Sequence, residues 1–193
     1  MSSAVAPDHG GTGPNANPVG EPSDERRIQL DISIAEPRWG DVISDAVSVC
    51  DEAAQAAFQE SEVCPDLAEA SLVLADDIFV AGLNKQYRDR EGPTNVLSFA
   101  SCNNVAELDM LPSGMPAMLG DIVIAYETTT CEATESGIAV ENHLRHLVVH
   151  GVLHLLGYDH TTDGEAAVME PLETRILARL GVADPYAMEQ SNA

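Results

Sequence analysis

His150-Gly151-Val152-Leu153-His154-Leu155-Leu156-Gly157-Tyr158-Asp159-His160 is the stretch that decides how the rest of the chain is read. Two histidines four apart on a helix stand one above the other on the same face. Both imidazoles can then reach a single ion at about 2.0–2.1 Å. Gly157 ends the helix, because a residue without a Cβ takes the left-handed conformation beyond a helix end at little cost. The chain turns back there and carries His160 to the same ion from outside the helix. Three nitrogen ligands with a fourth position left open make a catalytic zinc site, not a closed structural one.

The spacing H-x-x-x-H-x-x-G-x-x-H is that of the metzincin zinc peptidases with one residue changed. Those enzymes carry Glu directly after the first His, as general base in peptide hydrolysis. Here that position is Gly151. The metal frame is present and the peptidase's base is missing.

With 193 residues the chain fits one domain with a sizeable core, and its 45% hydrophobic content is ordinary for a globular protein. Net charge is −23, from one lysine (Lys85) and eight arginines against 32 acidic residues. Such a surface argues against broad electrostatic capture of nucleic acid, which needs basic patches. A polyanionic substrate has to be drawn in locally, with the metal as the largest positive charge. A saline host and a basic protein partner fit the surface charge equally well. Cys50, Cys64, Cys102 and Cys131 form no C-x-x-C pair and read as free thiols of a reducing cytosol. Neither a signal peptide nor an apolar run of about 18 residues is present, so the reading is a soluble, cytoplasmic protein.

Residues 1–25 hold four Gly and four Pro with little to bury, and read as a disordered tail. Ile28, Leu30, Ile32 and Ile34 alternate on one face of a strand. Pro37 and Trp39 open an Ala-rich helix running towards Ala57, ended by Pro65. Ala70 to Ala75 reads as a second strand, and Asp76 and Asp77 as caps of a helix ending near Tyr87. Val96 to Phe99 is a third strand, residues 102–119 a loop, and Asp121 to Tyr126 a fourth strand. Beyond Tyr126 the pattern is helical: a short helix up to Gly137, the long one carrying His143, His146, His150 and His154, and a last one over roughly 163–180. Pro171 inside that last helix predicts a kink or break. Strands and helices mixed early, with helices dominating late, predict an α+β fold with a small sheet.

Three blocks carry a family resemblance. They are Leu83-Asn84-Lys85-Gln86-Tyr87-Arg88 with Pro93-Thr94-Asn95-Val96-Leu97-Ser98-Phe99, then Leu119-Gly120-Asp121-Ile122-Val123-Ile124, then Val149 through His160. In order and spacing the chain resembles the YbeY family of bacterial rRNA maturation factors, across most of residues 28–180. The resemblance implies a zincin-like α+β fold with a small mixed four-stranded sheet. It also implies a zinc-dependent, single-strand-specific endoribonuclease domain over 26–183, followed by a flexible tail over 184–193. The implied role is 16S rRNA 3′-end maturation and ribosome quality control. Implied partners are single-stranded RNA, ribosomal RNA, the pre-ribosomal small subunit and small-subunit ribosomal proteins, with no membrane or DNA partner. One zinc per chain is placed on His150, His154 and His160, where the spacing argument had put it.

Arg88 matches the family's functional arginine. A guanidinium near zinc can hold a phosphodiester through two parallel hydrogen bonds and stabilise transition-state charge. Its bland alternative is an ion pair with Asp89 or Glu91 at a helix end. Asp121 is read either as orienting a ligand histidine or as a cap or turn residue. Asp159 either fixes His160 or is a plain loop carboxylate. His146, one turn before His150, is read as a contact behind the metal or to substrate sooner than as a fourth ligand, and His143 as solvent-facing. Asn95 and Ser98 are read as turn and strand-edge hydrogen bonders, with RNA contact the alternative. With Gly151 in the Glu position no general base is evident, which leaves water and the RNA's own 2′-OH both open as nucleophile. The competing reading is a non-catalytic ribosome-assembly factor that zinc merely stabilises; a zinc peptidase is disfavoured by the missing Glu.

Overall fold

The alternation from Ile28 onward builds an edge strand, β1 (Arg27–Ile34), with Ile28 buried, Leu30 and Ile32 half-buried and Ile34 exposed at the far end. This computed structural model describes residues 26–62, 65–102, 108, 111–112 and 114–187. The tail expected over 1–25, Cys64, part of the loop expected over 102–119 and the end of the expected C-terminal tail lie outside the described residues.

Three further strands, β2 (Leu67–Ala75), β3 (Val96–Ala100) and β4 (Ala117–Ala125), complete a sheet ordered β1-β2-β4-β3. The first three neighbours run parallel and β3 runs antiparallel to β4, so the sheet is mixed as expected. Two strands are longer than the sequence suggested. β4 starts at Ala117, not Asp121: Ala117 and Leu119 are buried, and Ala117 and Met118 pair with Ala68 and Glu69 of β2 before the register shifts. Pro112, Gly114 and Pro116 give that stretch the look of a loop. The other, β2, starts at Leu67, three residues before Ala70.

Six helices are described. α1 (Trp39–Val42) and α2 (Ala46–Glu60) replace the single helix expected from Pro37 to Ala57. The reason is Asp45, whose side chain accepts the Ser48 N–H at 3.0 Å and starts a new helix. As expected, Asp76 caps α3 (Asp77–Arg88), accepting from the Phe79 N–H at 2.8 Å. α4 (Tyr126–Glu135) and α5 (Val140–Leu155) flank Gly137, and α6 (Asp163–Arg179) follows the histidine motif. No break occurs at Pro171: α6 is one continuous helix. Pro171 and Ala167 both lie on its exposed face, so the carbonyl that loses its N–H partner faces water. A capping box of Thr162 and Glu165 fixes the start of the helix.

The main core lies between one face of the sheet and α2, α5 and α6, with Phe58, Leu72, Ile122, Leu144, Leu153 and Ile176 fully buried. A smaller cluster around Val80, Leu97 and Val123 packs α3 on the other face. No helix among the described residues is long and apolar enough to cross a membrane.

Candidate metal centre and cleft

Helix α5 buries Leu144, Leu147, Val148, Val152 and Leu155, and leaves His146, His150 and His154 as a half-exposed stripe along one edge. It ends in a Schellman turn: the Tyr158 N–H donates to Leu153 O, the Gly157 N–H to His154 O, and Gly157 has φ +85°. That turn brings His160 back, its ring centroid 5.2 Å from those of both His150 and His154. Coordinating atoms of the three rings lie within 4.8 Å of one another.

Proton placement on these rings follows from their partners. His154 Nδ1 lies 3.0 Å from Tyr158 O, and His150 Nδ1 lies 3.2 Å from Glu173 Oε1. A carbonyl and a carboxylate only accept, so each Nδ1 carries the proton and each Nε2 presents a lone pair. Those two Nε2 atoms face each other at 3.0 Å. Two lone pairs so close repel unless a cation lies between them. Two zinc–nitrogen bonds at the tetrahedral angle would set the nitrogens ~3.3 Å apart. The donor set therefore fits a metal ion. Burial, helped by neighbouring His150 and His160, holds the His154 pKa down at about 4, which keeps the ring neutral and ready to ligate.

Behind the cluster lies a residue that sequence reasoning missed. Glu173 on α6 is fully buried, and its Oε1 faces His146 Nε2 as well as His150 Nδ1, each at 3.2 Å. Burial alone would raise its pKa, but the bonds from His146 and His150 outweigh that and bring it to about 2. A signal was available: Met169, Leu172, Ile176 and Leu177 define a buried stripe, and position 173 falls inside it. His146 is thus brought to Glu173 and not to the three-histidine point. The reading of His143 as solvent-facing is overturned. Its ring is buried, and Nε2 lies 2.8 Å from Glu132 Oε2, which also accepts from Asn95 Nδ2 at 3.0 Å.

A cleft of about 550 Å³ opens at the histidines, lined by all three of them and by Arg88, Arg90, Asn95, Ser98, Asp159 and Thr161 among others. Arg88 is exposed and forms no ion pair among the described residues; Glu91 pairs with Lys85 instead. Arg88 Nη2 donates to Ser98 O at 3.4 Å. The end of α3 is pinned by Asn84, which is buried: its carbonyl accepts the Asp89 and Arg90 N–H groups, and its Nδ2 donates to Gly92 O at 2.9 Å. Asp89 takes a left-handed φ of +51° in this turn, uncommon for a residue other than glycine. Arg90, which sequence reasoning passed over, is thereby presented beside Arg88. Asp159 lines the cleft and accepts the His160 N–H at 2.7 Å. Asp121 is exposed on β4, next to Ile122 whose side chain faces α5, so alternation turns it to the opposite face. It is not brought to the histidines.

Comparison with known proteins identifies the family. A family model described as endoribonuclease YbeY matches residues 31–181. The endoribonuclease YbeY of Paramagnetospirillum magneticum is 46% identical over 159 residues, 82% of this chain and 96% of that protein. That of Novosphingobium aromaticivorans is 47% identical over 168 residues, 84% of this chain and 96% of the relative. A solution structure from Thermotoga maritima shares the fold at 20% identity and a TM-score of 0.51, covering 85% of this chain and 93% of that one. With the match extending from the first strand through the histidine motif into the last helix, the chain belongs to the YbeY endoribonuclease family.

Proposed function

We propose that this protein is a zinc-dependent, single-strand-specific endoribonuclease acting in the cytoplasm on ribosomal RNA of the small subunit, in 16S 3′-end maturation and quality control. The observation that carries the reading is the pair of facing Nε2 lone pairs on His150 and His154, joined by His160 and sharing one cleft with Arg88 and Arg90. A bound zinc would supply Lewis-acid polarisation of a phosphate oxygen or of a water.

The chain's own residues supply the rest. His150, His154 and His160 would hold the ion. Arg88 offers its planar fork to the non-bridging oxygens of the scissile phosphate and offsets charge that develops there. Arg90 carries a neighbouring phosphate, and Thr161, Asn95 and Ser98 border the path of the strand. A bent, unpaired strand suits such a cleft, whereas a duplex presents its phosphates along a rigid A-form surface. The acidic surface elsewhere confines attraction to this local spot.

Cleavage of single-stranded and duplex RNA by the zinc-loaded protein, its chelated form and the His154→Ala variant tests the reading. Zinc-dependent cleavage of the single strand is expected, lost in the variant. A 2′-deoxy nucleotide at the cut site separates attack by water, which survives, from attack by the 2′-OH, which does not. A folded, zinc-loaded protein that cleaves no RNA while binding small subunits would establish the assembly-factor role instead.

A further inference from the structure

Glu173 occupies a position that chain folding alone would give to an aliphatic residue. It sits in the α6 stripe of Met169, Leu172, Ile176 and Leu177, and it is the only fully buried carboxylate among the described residues. Burying a carboxylate is costly unless donors surround it. Three do: His146 Nε2 and His150 Nδ1 at 3.2 Å on Oε1, and the Tyr186 hydroxyl on Oε2. Tyr186 is delivered by the turn after α6, where Asp184 Oδ1 accepts both the Tyr186 N–H at 2.9 Å and the Thr174 hydroxyl at 3.2 Å.

We propose that Glu173, held in place by His146 and Tyr186, is the positioning residue of the metal centre, fixing the His150 proton on Nδ1 and so aiming its Nε2 at the ion. The proposal rests on the metal reading above. The carboxylate lies behind the ring, against Nδ1, while Nε2 faces His154 at 3.0 Å. Glu173 therefore touches no ion and acts only through His150. A carboxylate placed this way locks the ring's rotation and tautomer and raises the basicity of its ligating nitrogen. His146, His150 and Glu173 are also close enough to one another to hold a cation of their own. That use would require His150 to ligate through both nitrogens, and the three hydrogen bonds already satisfy the carboxylate. His154 gets the same service from a backbone carbonyl, Tyr158 O. Both helical ligands are thus tuned from behind, one by a neutral group and one by a charge.

Three measurements on the full chain test this. Zinc affinity is read by competition with a chromogenic chelator for the wild type, Glu173→Gln, Tyr186→Phe and His154→Ala. Glutamine keeps the volume and one acceptor but loses the charge, and the expected result is affinity weaker by about 10–100-fold. Tyr186→Phe should lower affinity by less. Long-range ¹H–¹⁵N spectra of the metal-free wild type at alkaline pH, where histidines are neutral, should show the His150 proton on Nδ1, with a mixture of tautomers in Glu173→Gln. Melting temperatures of the metal-free forms identify any variant that fails to fold. Unchanged zinc affinity in a folded Glu173→Gln protein overturns the proposal while leaving the metal site intact. A wild-type His150 proton on Nε2 overturns it too, whether or not the variants fold. If the wild type itself binds no zinc, or His154→Ala binds it as tightly, the metal reading fails and this proposal falls with it.

Discussion

Gly151 on α5 and Ile122 on β4 meet closely: a Cβ on Gly151 would lie 3.0 Å from Ile122 Cδ1 and 3.1 Å from its Cγ2, so that even a methyl group would press on the isoleucine. The position that carries the catalytic Glu in zinc peptidases here points into the helix–sheet contact. Gly151→Glu is expected to cost about 3 kcal/mol or more, from overpacking and an uncompensated buried charge. It should hydrolyse no casein. Chemical unfolding and a casein assay check this, and a variant of wild-type stability with peptidase activity contradicts it.

Removing the metal should loosen the end of α5. The ion would tie His160, beyond the turn, to His150 and His154, and a ligand that binds only the folded state stabilises it by mass action. The protein is expected to hold about one zinc per chain, to melt lower after chelation, and to lose most metal on His150→Ala. Metal analysis of the purified proteins decides it; full occupancy in the variant defeats the ligand assignment.

Arg88 and Arg90 should separate by what they change. Arg88→Ala is expected to retain fold and zinc, since the Arg88 bond to Ser98 O is long, at 3.4 Å, yet to lose about 10²–10³-fold in single-turnover cleavage. Arg88→Lys should recover only part of this, lacking the planar fork. Arg90→Ala should weaken RNA binding and lower the salt dependence by about one counterion, with little effect on the bound rate. Wild-type cleavage by Arg88→Ala would rule out its contact with the scissile phosphate.

Acid sensitivity should map in part to His143. Burial holds its pKa below 6.5, against an opposing bond from Glu132, with His146 adding a smaller downward push. Between the depressed folded value and the unfolded one near 6.5, the unfolded chain binds more protons. The His143 contribution is therefore fully present above about pH 6.5 and is lost as pH falls through the folded value. His143→Gln keeps a donor for Glu132 without titrating, so its stability should fall less steeply with acid in that window. Equal slopes in urea unfolding would refute the assignment.

The three-histidine cluster was legible because its spacing is local: an i, i+4 pair, a glycine and a histidine three further on leave the chain little choice. The first strand was legible from alternation and the other three as short apolar runs, with boundaries lost where Pro116 imitates a loop and where Asp45 restarts a helix. What stayed hidden depends on pairing between distant elements. Glu173 reads as one more acidic residue until α6 is laid against α5. Position 151 reads as a missing base until Ile122 is seen beneath it. His143 looked like surface because its partner Glu132 comes from another helix.

The Schellman turn at Gly157 also bears on the order in which the molecule assembles. All three imidazoles come from residues 150–160, and the carboxylate behind them from the very next helix. Closing so short a loop costs little chain entropy compared with bringing β1, β2 and β4 into parallel register. The α5–α6 hairpin can thus capture an ion before any strand has paired. Zinc added at the start of refolding should then speed the early gain of helical signal, and a stopped-flow trace unchanged by zinc would show that the centre forms only after the sheet.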